Sequence, residues 1–136
     1  MIQAKDLRIG NLVLSNNPLY RKDWLGKVLS ILEIKDESVS VVAIDELPYA
    51  FTGGQFLKYI DPIPLTEELL LKCGFVVIHI DGSDGIFRIY NLGAFTYNTN
   101  HGWWYLLDKL RFQITSLHQL QNLYYSLTNT ELEINL

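Results

Sequence analysis

The chain has 136 residues, 49% of them hydrophobic and 19% charged, with a formal net charge of −4. That length suits one domain or two small lobes, and that apolar content excludes a disordered chain. The acidic balance weighs against a duplex-DNA binder, whose affinity comes largely from neutralising phosphates. The charge is unevenly placed, because residues 1–60 carry 7 Lys/Arg against 7 Asp/Glu and residues 61–136 carry 4 against 8. If any face binds an anion, it therefore belongs to the first half. The single cysteine, Cys73, excludes an internal disulfide. The start MIQAKDLRIG has no apolar run of signal-peptide type, and no stretch approaches the roughly 18 apolar residues of a membrane span. These features fit a cytoplasmic protein without a membrane segment.

Taken in chain order, Leu7–Ser15 reads as a first strand, interrupted at Gly10-Asn11 by a bulge or tight bend. Asn16–Trp24 reads as a loop with Asn-Asn-Pro as its turn signal. Lys27–Ile34 and Ser38–Ile44 are β-rich runs joined by Lys35-Asp36-Glu37, which predicts a hairpin with a three-residue loop. Glu46–Gln55, with Pro48 and Gly53-Gly54, reads as irregular, and Phe56–Ile60 as a short strand. Four short strands this close together suit a small SH3-like β-barrel, and a bent meander fits nearly as well.

Asp61-Pro62-Ile63-Pro64 is a stiff connector, since each proline fixes its own φ and keeps the residue before it extended. Thr66 is placed to cap a short helix, with Glu67 and Glu68 in the favoured first turn and Gly74 ending it in the left-handed conformation. Phe75–Ile80 and Ile86–Tyr90, around Asp81–Gly85, predict a second hairpin. Ala94–Asn98 and Trp103–Leu107 predict a third pairing, and Leu110, Phe112 and Ile114 alternate as another strand does. Ser116 and Gln119 form a capping-box pattern that opens a helix over TSLHQLQNLYYSL, with Asn129 closing it. Its spacing predicts Leu120, Leu123, Tyr124 and Leu127 on the buried face, and His118, Asn122 and Tyr125 more exposed. Leu132, Ile134 and Leu136 alternate with polar residues, which predicts a terminal edge strand.

Three blocks, DLRIGNLVL, IDPIPLTEELLLKCGF and HQLQNLYYSLTNTEL, stand in order along the chain. Together they resemble an uncharacterised family of small bacterial proteins often encoded in prophages and mobile elements. The resemblance rests on Arg-Ile-Gly-Asn, Pro-Ile-Pro-Leu-Thr-Glu-Glu and His-Gln-Leu-Gln-Asn-Leu-Tyr. It implies no activity. Asn129 stands where the family is expected to have Gly, and both residues tolerate positive φ.

Few residues carry the marks of chemistry. Cys73 falls at a helix C-terminus, which raises rather than lowers a thiol pKa, so it reads as a buried, inert thiol. His79, His101 and His118 lack metal-ligand spacing. Asp81-Gly-Ser-Asp84-Gly lacks the distal bidentate Glu of a calcium loop and reads as a turn. Glu67 and Glu68 point about 100° apart on a helix and read as capping residues. Two groups stand out as binding candidates. Tyr20, Arg21, Lys22 and Trp24, with Lys27, interleave cations and aromatics as single-strand nucleic-acid binders do, against the reading of an ordinary loop with one folded-in Trp. Trp103-Trp104-Tyr105 is the second group: its tryptophans are strand neighbours and point to opposite faces, so one is core and the other is covered by another element or offered to a partner.

The sequence thus predicts an α+β fold: a β-barrel-like lobe over 1–61, then a lobe over 62–136 with an antiparallel sheet flanked by two helices. No acid–base–nucleophile constellation is visible, and no cofactor or metal is implied. The expected function is non-enzymatic binding of a protein partner, as an adaptor, with homo-oligomerisation left open. The alternative is a nucleic-acid-binding module using the basic and aromatic loop of the first lobe, which the net charge disfavours.

Overall fold

The structure, a computed structural model, describes residues 2–16, 26–44, 53–82, 85–107 and 109–136. It is an α+β arrangement of two antiparallel sheets and two helices. The chain divides into two compact units: Met1–Pro64 with Ser116–Glu131, and Leu65–Thr115 with Leu132–Leu136.

The first unit holds β1 (Leu12–Ser15), β2 (Val28–Ile34), β3 (Ser38–Ala43), β4 (Gly53–Phe56) and β5 (Ile60–Asp61) in the order β4-β3-β2-β1-β5. The first strand is shorter than the sequence suggests. A 3₁₀ turn at Ala4–Asp6 comes first, and Gly10, at φ +92°, then bends the chain in a conformation that Cβ-bearing residues avoid. The β2–β3 hairpin forms as expected, with Lys35 N–H donating to Ser38 O at 2.8 Å. A bulge between Ile31 and Glu33 leaves Leu32 exposed. Gly53–Gln55, read from the sequence as irregular, pairs with β3. The strand expected at Phe56–Ile60 is broken by a 3₁₀ turn at Leu57–Tyr59 before β5 pairs with β1. Alternate residues point inward, so Val13, Leu29, Ile31, Val39, Val41, Leu57 and Ile60 form the core.

Two long helical and strand predictions change. Helix α2 (Leu117–Thr128) belongs to the first unit rather than to the second lobe. Its buried residues are Leu117, His118, Leu120 and Gln121, while Leu127 is exposed. The reason is a polar clasp. Gln121 Oε1 accepts the Leu12 N–H at 2.9 Å, and Gln121 Nε2 donates to Gly10 O at 3.3 Å. Asn122 Oδ1 accepts from Asn11 Nδ2 at 2.8 Å, and Asn122 Nδ2 donates to Asp6 O at 3.0 Å. Satisfying those backbone groups turns Gln121 inward and rolls Leu127 outward. The terminal edge strand does not form: residues 132–136 have no ladder partner, although Asn135 N–H donates to Lys72 O at 2.8 Å.

The second unit holds α1 (Glu67–Lys72) and strands β6 (Val76–Gly82), β7 (Gly85–Leu92), β8 (Phe95–Asn98), β9 (Trp103–Leu106) and β10 (Leu110–Phe112). The strands run in sequence order as a meander, β10-β9-β8-β7-β6. Thr66 caps α1 as expected, its Oγ1 accepting the Leu69 N–H at 3.1 Å. Gly74 follows at φ +91°.

Candidate binding surface on the second sheet

The strand registers sort the second sheet into two faces, because directly opposed residues share a face. One face carries Tyr90, Tyr97, Trp104 and Phe112, each paired with the next across the meander. This is the core side. Tyr90, Phe95 and Trp104 are 2–3% exposed. Phe75 meets Trp104 edge-on at 5.8 Å, and Tyr97 and Phe112 lie at 5.0 and 6.2 Å from the Trp104 ring. Trp104, one of the binding candidates from the sequence, is therefore a core residue held by three aromatic neighbours.

Beside this core lies a cavity of about 420 Å³, bordered by Leu70, Tyr97, Trp104 and Gln113 among others. Three of its polar side chains are already engaged. Thr66 Oγ1 caps α1. Glu67 accepts two hydrogen bonds from Arg88, at 2.6 and 3.2 Å. Thr99 Oγ1 accepts from Arg88 N–H at 2.9 Å. Burial first, and then the Glu67 carboxylate, push the Tyr90 phenol pKa up. Ligand sites offer convergent polar groups, and here Glu67 is spent on tying α1 to β7 through Arg88.

The opposite face is different. Val76, Ile78 and Ile80 on β6 oppose Asn91, Ile89 and Phe87 on β7. Thr96 and Asn98 follow on β8, Tyr105 and Trp103 on β9, and Arg111 on β10. None of these eleven residues is buried. Val76 is 65% exposed and Ile78 46%. An antiparallel sheet with one solvated face normally shows polar residues there. Here seven of the eleven are aliphatic or aromatic. The Arg111 guanidinium lies over the Trp103 ring at 4.4 Å. No carboxylate lies among the eleven.

Trp103 is thus the half-buried partner of the tryptophan pair and sits on the open face. Tyr20, Arg21, Lys22 and Trp24 lie outside the described residues. Lys27 is half-buried in the first unit, where its carbonyl accepts the Ser15 N–H at 3.0 Å. The sequence reading missed Ile78, Phe87, Ile89 and Arg111. Apolar residues on both phases of Val76-Val77-Ile78 were the available signal, since a strand with one wet face needs only one apolar phase.

Cys73 is 3% exposed, and burial pushes its thiol pKa up to about 11. Among the described residues no group of three or more His, Cys, Asp or Glu is placed to hold a metal ion. No helix among them is long and apolar enough to cross a membrane. Comparison with protein-family models, with curated proteins and with solved structures found no match.

Proposed function

We propose that the protein is a non-enzymatic cytoplasmic adaptor, possessed of one main docking surface for a protein partner: the open face of the second sheet. The observation that carries this reading is that Val76, Ile78, Phe87, Ile89, Trp103 and Tyr105 share one unburied face with Arg111. Protein interfaces are enriched in aromatic residues and Arg and depleted of acids at their centre. The cation without a carboxylate on its own face calls for a partner that brings apolar side chains and at least one acid. The three sequence blocks support an origin in a mobile element. In the first unit, β1 pairs with both β2 and β5, and a 3₁₀ turn precedes β5. That pattern supports the SH3-like reading of this unit.

The test is copurification of the tagged protein from its native cells, run in parallel with Trp103→Ala and Arg111→Glu variants. A protein recovered with the wild type and lost with both variants is the expected result. An identical set from all three overturns the reading. A salt-dependent gel shift covers the nucleic-acid alternative. Binding tighter than about 1 μM at physiological salt, lost when Arg21 and Lys22 become Ala, promotes that alternative instead.

A further inference from the structure

We propose that β6 is a pairing edge for a second copy of this chain, joined antiparallel about a two-fold axis at Ile78. This inference shares Val76 and Ile78 with the partner surface proposed above, but it rests on the free backbone edge of β6 rather than on that face. β6 is the outermost strand of its sheet, and all seven of its residues pair with β7 without a bulge. Among the described residues no further backbone bond involves Val76–Gly82, so none of them covers its other edge. Alternate residues of an antiparallel strand turn their N–H and C=O groups away from the existing neighbour, so a strand about 23 Å long offers a row of unmet donors and acceptors.

Natural proteins blunt such edges with Lys, Pro, bulges or short length. The far edge of this sheet follows that rule: β10 has three residues, with Arg111 at its middle and Lys109 just before it. β6 is seven residues long and has no Lys, Pro or bulge, and its one acid, Asp81, stands beside its last residue. An unprotected edge on an otherwise protected sheet points to a strand that covers it.

The occupant follows from self-complementarity. Centred on Ile78, an antiparallel copy sets Ile78 against the second Ile78 and Val76 against the second Ile80. All three side chains lie on the open face. Six aliphatic side chains then form one stripe across the junction, and Val77 meets His79 on the other face. No like charges are opposed. Centring on His79 instead opposes two imidazoles and sets Asp81 against Val77, which is the poorer match. Two-fold pairing is the ordinary way in which one surface patch serves both subunits.

The experiment is sedimentation equilibrium over a concentration series, with cross-linking through one added cysteine, the native Cys73 being buried. Opposed residues of an antiparallel pair have Cα atoms about 4.5–5.5 Å apart, within disulfide reach. Ile78→Cys is therefore expected to give an oxidised covalent dimer, and His79→Cys is not. Ile78→Lys, at an exposed position, is expected to leave the far-UV spectrum unchanged and to weaken dimerisation by at least about tenfold, because it opposes two like charges. A wild-type monomer across the concentration series overturns the proposal. So does a dimer that survives Ile78→Lys unchanged, or one that cross-links through His79→Cys and not through Ile78→Cys.

Discussion

His118 shows how one side chain ties stability to pH. It is 5% exposed, and burial lowers its pKa below 6.5, opposed in part by the Asp6 carboxylate. The unfolded chain binds a proton at this imidazole more readily than the folded chain does. The contribution of neutral His118 is therefore fully present above pH 6.5 and is lost as pH falls from there through the lowered folded value. Denaturant melts between about pH 8 and about pH 5 are expected to show falling stability, and His118→Gln is expected to flatten that slope. An equal slope in both proteins would assign the effect to other groups. Glu131 does not overlap with this window. Hydrogen bonding from Arg8 lowers its pKa below 4.5, so its contribution is present above that value and is lost only as pH falls further. Arg8 also lies over the Tyr125 ring at 4.2 Å, which holds an α2 residue that the sequence reading left outside the packing.

Helix α2 shows what short-range sequence signals do and do not specify. Its ends were legible. Gln119 Oε1 accepts the Ser116 N–H at 3.3 Å, one half of the capping box, and Asn129, at φ 55°, closes the helix with its N–H on Tyr125 O at 2.8 Å. Both devices act within four residues and need no knowledge of the rest of the chain. The inward face was not legible, because it is set by backbone groups near Gly10-Asn11-Leu12, more than a hundred positions away. The same limit explains the missing C-terminal strand, where alternation of Leu132, Ile134 and Leu136 was present but a ladder partner was not. The first and third blocks of the resemblance, Arg-Ile-Gly-Asn and His-Gln-Leu-Gln-Asn-Leu-Tyr, turn out to be the two halves of this clasp. Gln121→Ala strands the Leu12 N–H and is expected to cost about 1–3 kcal/mol, as unpaired donors do. Leu127→Ala, at 50% exposure, is expected to fall within about 0.5 kcal/mol. Denaturant melts of the two variants compare a polar clasp with a leucine that periodicity alone would have placed in the core; a larger loss at Leu127 would restore the leucine face.

At the scale of the whole molecule, the adjacent tryptophans separate folding from binding. Strand geometry required that they point to opposite faces, and the sequence showed this much. Which one faces the core depends on the register of five strands, and only the fold supplies it. Trp104 is 2% exposed among Phe75, Tyr97 and Phe112. Trp104→Ala is expected to cost about 3–5 kcal/mol, because a large cavity opens among rings that cannot close it. Trp103 loses far less. Its ring is half-buried on the open face and lies under the Arg111 guanidinium at 4.4 Å, an exposed cation–π contact worth about 0.5–1 kcal/mol. Trp103→Ala is thus expected to lower stability by about 1 kcal/mol while abolishing capture of the partner. Chemical denaturation together with copurification reads both quantities from the same preparations. If Trp103→Ala destabilises the protein as much as Trp104→Ala, the open face is part of the packed core and the docking surface has been misplaced. If stability is kept and capture is kept, the partner docks elsewhere, and the basic stretch of sequence around Arg21 and Lys22 becomes the place to test.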